Sequence, residues 1–201
     1  MQYNNMIKGL VIITGALMTL SIQAYAIHPL PTAAPFNDAN QTICYDTNSL
    51  NNVKFNGQTG QGNALKNEIK KGMDHVSQNT DINIIEQCPG ASLLSARHSN
   101  PNVKGETIPS SSTQKFIYYN TNHSVDYRTD NLCIPPAFDG VNIVNPKYIA
   151  IHEFGHFAGL GHPLPWLELL IPDSHTAMKS YCNQGYASLS PDDKNQINAF
   201  Y

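Results

Sequence analysis

The sequence predicts one α/β domain (α+β in its layout), with a twisted mixed sheet packed on two long helices. The chain has 201 residues, the usual length of a single domain. Its first half alternates strand, helix and strand patterns, an order typical of a right-handed crossover between parallel strands. Its second half contains turn-rich sequence and two further helix patterns, without a repeat or a linker that would divide it. We therefore assign residues 41–201 to one domain.

Residues 1–26 have the three-part pattern of a secretory signal peptide. Lys8 precedes an apolar run over Leu10–Ile22, and small residues follow up to Ala26. The alternative is a membrane anchor, but the run is shorter than the ~20 residues that a span needs. We expect cleavage near Ala26 and a mature chain that is secreted or periplasmic. It would begin with a Pro- and Ala-rich leader or N-terminal arm at 27–40.

The composition is that of a polar, weakly acidic protein. The formal net charge is −3, and only 13% of the residues are charged. This is not the basic footprint of a nucleic-acid-binding protein. The mature chain has no second apolar stretch that could span a bilayer. We expect a monomer that binds neither nucleic acid nor membrane.

Four cysteines remain after residue 26, far apart and without C-x-x-C spacing: Cys44, Cys88, Cys133 and Cys182. This spacing indicates neither a zinc knuckle nor a redox motif. In an exported chain, an even number of isolated cysteines indicates disulfides. Three connectivities are open. We favour Cys44–Cys88 with Cys133–Cys182, because each pair would join neighbouring parts of the predicted fold.

The crossover begins with alternating β-forming residues at Gln41–Asp46, followed by a Gly- and Asn-rich loop at Asn51–Asn63. Ala64–Asn79 is predicted as a helix because its apolar residues recur at helical spacing, namely Leu65, Ile69, Met73 and Val76. Further strands are predicted at Asp81–Glu86, Ala91–Arg97 and Gln114–Tyr119. The sequence between the last two is rich in Ser, Pro and Asn and is predicted to be a loop. Asp126–Asn145 is predicted to be irregular because it contains Pro and Gly turn signals.

Two more helices carry clear end signals. Asn145 is a suitable N-cap and Pro146 suits the first turn of a helix that extends to about Ala158. Gly159 can adopt the left-handed conformation that ends it. At the C-terminus, Ser190 can cap a helix whose first turn contains a proline and two aspartates.

The stretch "IAIHEFGHFAGLGH" concentrates side chains that bind metals. His152 and His156 are four residues apart and share one helix face, so both can bind the same ion. The turn at Gly159 allows His162 to reach it. Three neutral imidazoles leave one position for water, the open coordination of a catalytic zinc. Glu153 can take a proton from that water, which the metal makes nucleophilic. The alternative is a histidine-rich core helix.

These residues resemble a known family. His152, Glu153, His156, Gly159 and His162 match the metzincin zinc-peptidase signature H-E-x-x-H-x-x-G-x-x-H. The segment "HTAMKSY" is similar to the methionine turn of that clan, with Met178 as its methionine, and "LSPDDKNQINAFY" resembles the C-terminal helix of matrixins. The resemblance implies a metzincin-like zincin fold, zinc on the three histidines, Glu153 as general base and Met178 as a hydrophobic floor below them.

The chain departs from the matrixin pattern in several places. An apolar insert at 163–172, containing Trp166, lengthens the segment before Met178. It is either a loop packed on the core or a wall of the substrate cleft. Tyr181 lies three residues after Met178, whereas the tyrosine that can polarise the scissile carbonyl in astacins and serralysins lies two residues after the methionine. The resemblance implies that Tyr181 either donates to the oxyanion or lines the S1′ pocket. No cysteine-switch propeptide and no calcium-loop motif are found.

The predicted function is that of a secreted zinc-dependent endopeptidase acting on a protein or peptide. Substrate would pair with an edge strand of the sheet, for which Gln114–Asn120 is one candidate. The main alternative is a secreted zinc-binding protein without turnover, which acts as a binding module. A zinc hydrolase that cleaves a non-peptide amide is a third hypothesis.

Overall fold

A computed structural model describes residues 35–100, 103–126, 143–163, 177–178 and 188–201. In chain order the elements are β1 (Asn40–Tyr45), α1 (Thr47–Leu50), β2 (Lys54–Phe55), α2 (Gly62–Asn79), β3 (Asn83–Glu86), β4 (Ser92–Arg97), β5 (Gly105–Pro109), β6 (Lys115–Asn120), β7 (Ser124–Val125), β8 (Ile143–Val144), α3 (Pro146–Phe157) and α4 (Pro191–Asn198). The mixed α/β architecture predicted from the sequence is confirmed.

The predicted crossover is present at the N-terminal side of the sheet. β1 pairs in parallel with β3 on one side and with β4 on the other. The connection between β1 and β3 contains α2, whose apolar face is buried as the spacing predicted: Leu65, Ile69, Met73 and Val76. This face packs into the core, where α2 also contacts α3. The crossover helix α2 thus provides part of the surface against which α3 packs.

The edge strand nearest to α3 is β5, which the sequence analysis did not predict. The sheet order is β3-β1-β4-β6-β5, with β6 parallel to β4 and β5 antiparallel to β6. The suggestion that Gln114–Asn120 forms an edge is therefore wrong, because this segment is β6, between two neighbours. β5 lies in sequence that had been assigned to a loop. Its five residues, GETIP, show no regular alternation of apolar and polar residues, and Ser, Pro and Asn residues surround them.

Two of the three strands of a second, smaller sheet lie in regions that were predicted to be loop or irregular. This sheet has the order β2-β7-β8 with parallel pairs. β2 falls within the predicted loop Asn51–Asn63, and β8 falls within Asp126–Asn145. Strands of two residues carry too little alternation to be recognised locally, since their pairing is set by distant parts of the chain.

The predicted caps of α3 and α4 are present. The Asn145 side chain accepts a hydrogen bond from the Lys147 amide at 2.8 Å, and Pro146 begins the helix. Ser190 and Asp193 form a reciprocal capping box at the start of α4. α3 is buried on almost all sides, so it is a central helix of the domain and not an amphipathic surface helix.

The Cys44–Cys88 disulfide is confirmed. Cys133 and Cys182 lie outside the described residues, as do the signal peptide at 1–26, the first part of the 27–40 arm and most of the 163–172 insert. Within the described ranges, no helix combines the length and apolar character needed to cross a membrane.

Lys115, the first residue of β6, is fully buried. Its Nζ donates a hydrogen bond to Phe157 O at 2.6 Å and lies 4.2 Å from the centre of the Phe36 ring. Phe157 O is among the last carbonyls of α3, which have no partner within the helix, and a cation is favoured at this negative end. Burial lowers the pKa of Lys115 to about 8. The Lys115 ammonium thus provides a hydrogen-bond partner for the C-terminal end of α3, although removing this charge from water costs free energy.

Replacing both Cys44 and Cys88 by alanine should lower the free energy of unfolding by about 2–4 kcal/mol, because the disulfide closes a long loop in the unfolded chain. The two cysteines are 44 positions apart. Urea unfolding of the oxidised wild type and the double variant measures the difference. Equal midpoints and equal slopes would contradict this prediction.

Lys115 should make stability depend on pH. Its folded pKa of about 8 lies below the ordinary 10.5, so the unfolded chain binds more protons between these values. The cost of burial is complete below the folded pKa and decreases as the pH rises through this window. The free energy of unfolding of wild type minus that of Lys115→Met should therefore increase by up to about 3 kcal/mol from pH 7.5 to 10.5.

Denaturant unfolding at several pH values tests this, with Ile117→Met as the matched control. Ile117 is buried on the same strand but carries no ionisable group. The difference between wild type and this control should not change with pH. If the difference in the free energy of unfolding between wild type and Lys115→Met is also independent of pH, the expected titration of Lys115 is refuted.

Candidate metal centre

The three histidines predicted to bind metal come together at the end of α3. His152 and His156 are one helical turn apart, and His162 follows the helix. Their Nε2 atoms form a nearly equilateral triangle, with separations of 3.1 Å (152–156), 2.9 Å (156–162) and 3.2 Å (152–162). Among the described residues, they form a group of ligand atoms able to hold one metal ion.

Backbone carbonyls hold two of the rings with Nε2 towards the common point. His152 Nδ1 lies 2.7 Å from Ala177 O, and His156 Nδ1 lies 2.8 Å from Leu160 O. A carbonyl only accepts, so each Nδ1 must carry the proton and each Nε2 presents its lone pair. This is the tautomer that a metal ligand needs, fixed by partners outside the ligand set.

The turn after α3 brings His162 back to the helix. Gly159 has a φ of +107°, which L side chains rarely adopt. The Leu160 amide donates to Gly155 O at 2.9 Å, so the last turn closes and the chain reverses. Leu160 O then faces His156. The same turn therefore orients one ligand and delivers another.

The carbonyl groups at this end of α3 have partners from distant parts of the chain. Tyr201 Oη donates to Ala158 O at 3.2 Å and accepts from the Phe36 amide at 3.1 Å. Lys115 holds the adjacent Phe157 O, as described above. Residues near both ends of the described chain thus stabilise the turn that leads to His162.

Met178 is fully buried and contacts α3 at Gly155, which lies beside His156. Its sulfur is so close to the Gly155 backbone that a side chain at position 155 would displace it. The neighbouring Ala177 supplies the carbonyl that orients His152. Residues 177–178 therefore contact α3 next to two of the three histidines. Tyr181 lies outside the described residues.

Glu153 is buried between α3 and the edge strand β5. Only 3% of it is exposed, and Thr107 Oγ1 lies 2.7 Å from its Oε2. Burial raises the pKa of Glu153 to about 8, the Thr107 hydrogen bond opposes this rise, and the nearby Glu106 adds to it. A divalent cation on the histidines would also favour the carboxylate through its charge.

The donor set fits a zinc ion. In tetrahedral coordination, imidazole nitrogens at about 2.0–2.1 Å from one zinc lie roughly 3.3 Å from each other, close to the observed triangle. All three donors are imidazole, which suits zinc and several other transition metals but not calcium or magnesium. His152 and His162 are only partly covered, so the cluster is accessible from solvent. The three residues can hold one metal ion with an open side.

Several contributors to this site were not recognised in the sequence. They are the hydroxyl of Thr107, the close approach of Gly105 to Glu153, the Lys115 ammonium, and the carbonyls of Leu160 and Ala177. The carbonyls have no residue-specific signal. The sequence GETIP of β5 has no regular alternation of apolar and polar residues, and the contact between β5 and α3 depends on the tertiary fold.

Comparison with protein-family models gave no match, and a search of curated proteins gave no significant match. The interpretation of the site therefore depends on its own geometry and chemistry.

The protein should bind one zinc ion per chain, and replacing His156 by alanine should weaken binding by at least ~100-fold, since it removes a ligand and not only an outer hydrogen bond. Competition with a chromophoric chelator measures the affinity. His98→Ala is the control, because His98 is exposed and lies outside the cluster. Equal affinities for the two variants would show that zinc binds elsewhere.

Proposed function

We propose that this protein is a secreted zinc-dependent endopeptidase of the metzincin type. The observation that carries the proposal is the convergence of three Nε2 atoms, from His152, His156 and His162, at one accessible point. A carboxylate, Glu153, follows the first of them on the same helix. Three neutral ligands and a neighbouring carboxyl group are the parts that hydrolysis of a peptide bond by a metal-activated water requires.

The histidines would hold the ion, and Glu153 would move the proton. A bound zinc ion would supply a Lewis acid that polarises the scissile carbonyl and acidifies a coordinated water. Glu153 would accept the proton of the attacking water at its carboxylate and deliver it to the departing amine. The Ala177 and Leu160 carbonyls keep His152 and His156 in the binding tautomer throughout.

An extended substrate would pair with the free edge of β5. The bonds from the Asn120 amide to Lys104 O and from the Ser110 amide to Gln114 O define which residues of this antiparallel pair bond to β6. Because such bonds alternate along a strand, Gly105 and Thr107 direct their amides and carbonyls away from β6. No described strand pairs with that side. A peptide can add there by backbone hydrogen bonds, next to Glu153.

Two further observations support the assignment to this class and compartment. The five signature residues from His152 to His162 stand at metzincin spacing, and Met178 is buried against Gly155, the residue before His156. The Cys44–Cys88 disulfide fits an oxidising, extracytoplasmic environment, which agrees with the signal-peptide pattern.

A zinc-binding protein without turnover is the second candidate. It is favoured by the burial of Glu153, whose carboxyl group is already hydrogen-bonded to Thr107. In this alternative the Glu153 carboxyl group has a structural role only, because its hydrogen bond joins α3 to β5. The two functions differ in whether Glu153 takes part in a reaction.

Zinc-loaded wild type should cleave members of a broad peptide library, and Glu153→Gln should lower kcat/KM by roughly 10²–10⁴-fold, the usual contribution of a general base. Zinc affinity, measured on the same samples, should stay within a few-fold of wild type. Chelation should abolish cleavage and added zinc should restore it.

Glu68→Gln is the control, because this carboxylate lies on α2 and forms an ion pair with Lys71. It should keep wild-type activity. No cleavage by the zinc-loaded wild type, or full activity in Glu153→Gln, would favour the non-catalytic alternative.

A further inference from the structure

The edge strand β5 directs alternate residues towards α3. Gly105 and Thr107 are two positions apart and therefore face the same side of the sheet. Both meet Glu153, from which they are separated by more than 40 positions in the chain. The contact between β5 and the candidate general base is thus made by a hydroxyl group and by a residue without a side chain.

The Thr107 hydroxyl binds one oxygen of the Glu153 carboxyl group. Oγ1 lies 2.7 Å from Oε2 and 3.0 Å from the Glu153 backbone carbonyl. A hydroxyl has one proton to donate. When Glu153 is ionised, as a base must be, the bond from Thr107 to its carboxylate is the stronger of the two. Thr107 is β-branched, so few rotamers are available to it and its hydroxyl is held in place.

Gly105 leaves room for the other carboxyl oxygen. A Cβ at this position would lie 2.8 Å from Glu153 Oε1 and 2.8 Å from Ile149 Cγ2. At these distances a Cβ would force the Glu153 carboxyl group and the Ile149 side chain to shift. Glycine at position 105 therefore lets β5 lie against the carboxyl group in the position from which Thr107 forms its hydrogen bond.

The same two residues present their backbone groups at the free edge of the sheet, where the proposed substrate would pair. The side-chain contact to Glu153 and the backbone contact to substrate thus belong to one segment of three residues. Pro109, the next outward-facing residue, has no amide to donate. The backbone hydrogen bonds between an antiparallel substrate and β5 would therefore be formed mainly by Gly105 and Thr107.

We propose that Thr107 is a positioning residue, whose hydroxyl holds the Glu153 carboxylate in the orientation from which it accepts the proton of the attacking water. This rests on the proposed peptidase function. Thr107 acts through Glu153 and forms no bond with the scissile group. Substrate that pairs with the backbone of residues 105–107 is by this arrangement placed in register with the base.

Thr107→Val removes the hydroxyl with little change in shape, and Thr107→Ser keeps it. The valine variant should lose roughly 10- to 100-fold in kcat with KM within about twofold, because a hydrogen bond to a charged group is lost while the edge remains. The serine variant should recover most of this loss. In the Glu153→Gln background, Thr107→Val should cause little further loss, since the two residues act as a unit.

Two measurements other than activity separate positioning from a structural role. Zinc affinity and the Kd of a non-cleavable extended peptide should both match wild type in Thr107→Val. Thermal unfolding reports whether the fold is intact. If valine unfolds the protein, Thr107→Ala, which leaves space for a water to satisfy the carboxylate, takes its place with the same expected loss in kcat.

The outcomes distinguish this proposal from the one on which it rests. A zinc-loaded wild type that cleaves nothing overturns the peptidase function and the role of Thr107 together. An active wild type with an equally active, folded Thr107→Val or Thr107→Ala overturns the role of Thr107 alone. The role of Thr107 is also overturned if Thr107→Val weakens peptide or zinc binding and leaves kcat unchanged.

Discussion

The structure depends on one constraint, which is that three neutral imidazoles must point their lone pairs at the same place. Nitrogen atoms about 3 Å apart with lone pairs facing each other repel unless a cation lies between them. The fold has to hold them there in advance. It does so with carbonyl groups behind two of the rings and a closed turn behind the third. The site is therefore preorganised by backbone groups and not by the ligands themselves.

The end of α3 shows how this preorganisation is maintained in a buried environment. A helix that ends inside the protein leaves carbonyl groups without partners, and each would destabilise the fold if it were left so. Lys115 and Tyr201 fill two of these places from β6 and from the C-terminus. Elements that do not contribute a ligand thus keep the histidine turn in position, and a buried ammonium is the cost of one of these contacts.

Local signals predicted α3 and the cluster of three histidines, whereas the surroundings of Glu153 were not predictable. The N-cap at Asn145, the turn at Gly159 and the four-residue spacing of His152 and His156 are encoded within a few positions. The contact between Thr107 and Glu153 joins residues 46 positions apart and depends on β5 forming an edge next to α3. A strand of five residues owes its existence to its partner, so its own sequence contains too little information. Nothing in the sequence around Lys115 indicates that its ammonium binds the Phe157 carbonyl, because this contact forms only in the folded protein.

The shape of β5 also affects how the protein behaves among copies of itself. An open edge that can accept an extended peptide can equally accept a strand from another molecule, which is the usual beginning of aggregation by edge pairing. β5 is short, has Glu106 as its second residue and ends at Pro109, while the opposite edge, β3, has only four residues and ends at Glu86. Both edges are thus too short and too charged to support a long intermolecular ladder. β5 can therefore pair briefly with an extended peptide, but it is too short to pair stably with a strand of another molecule.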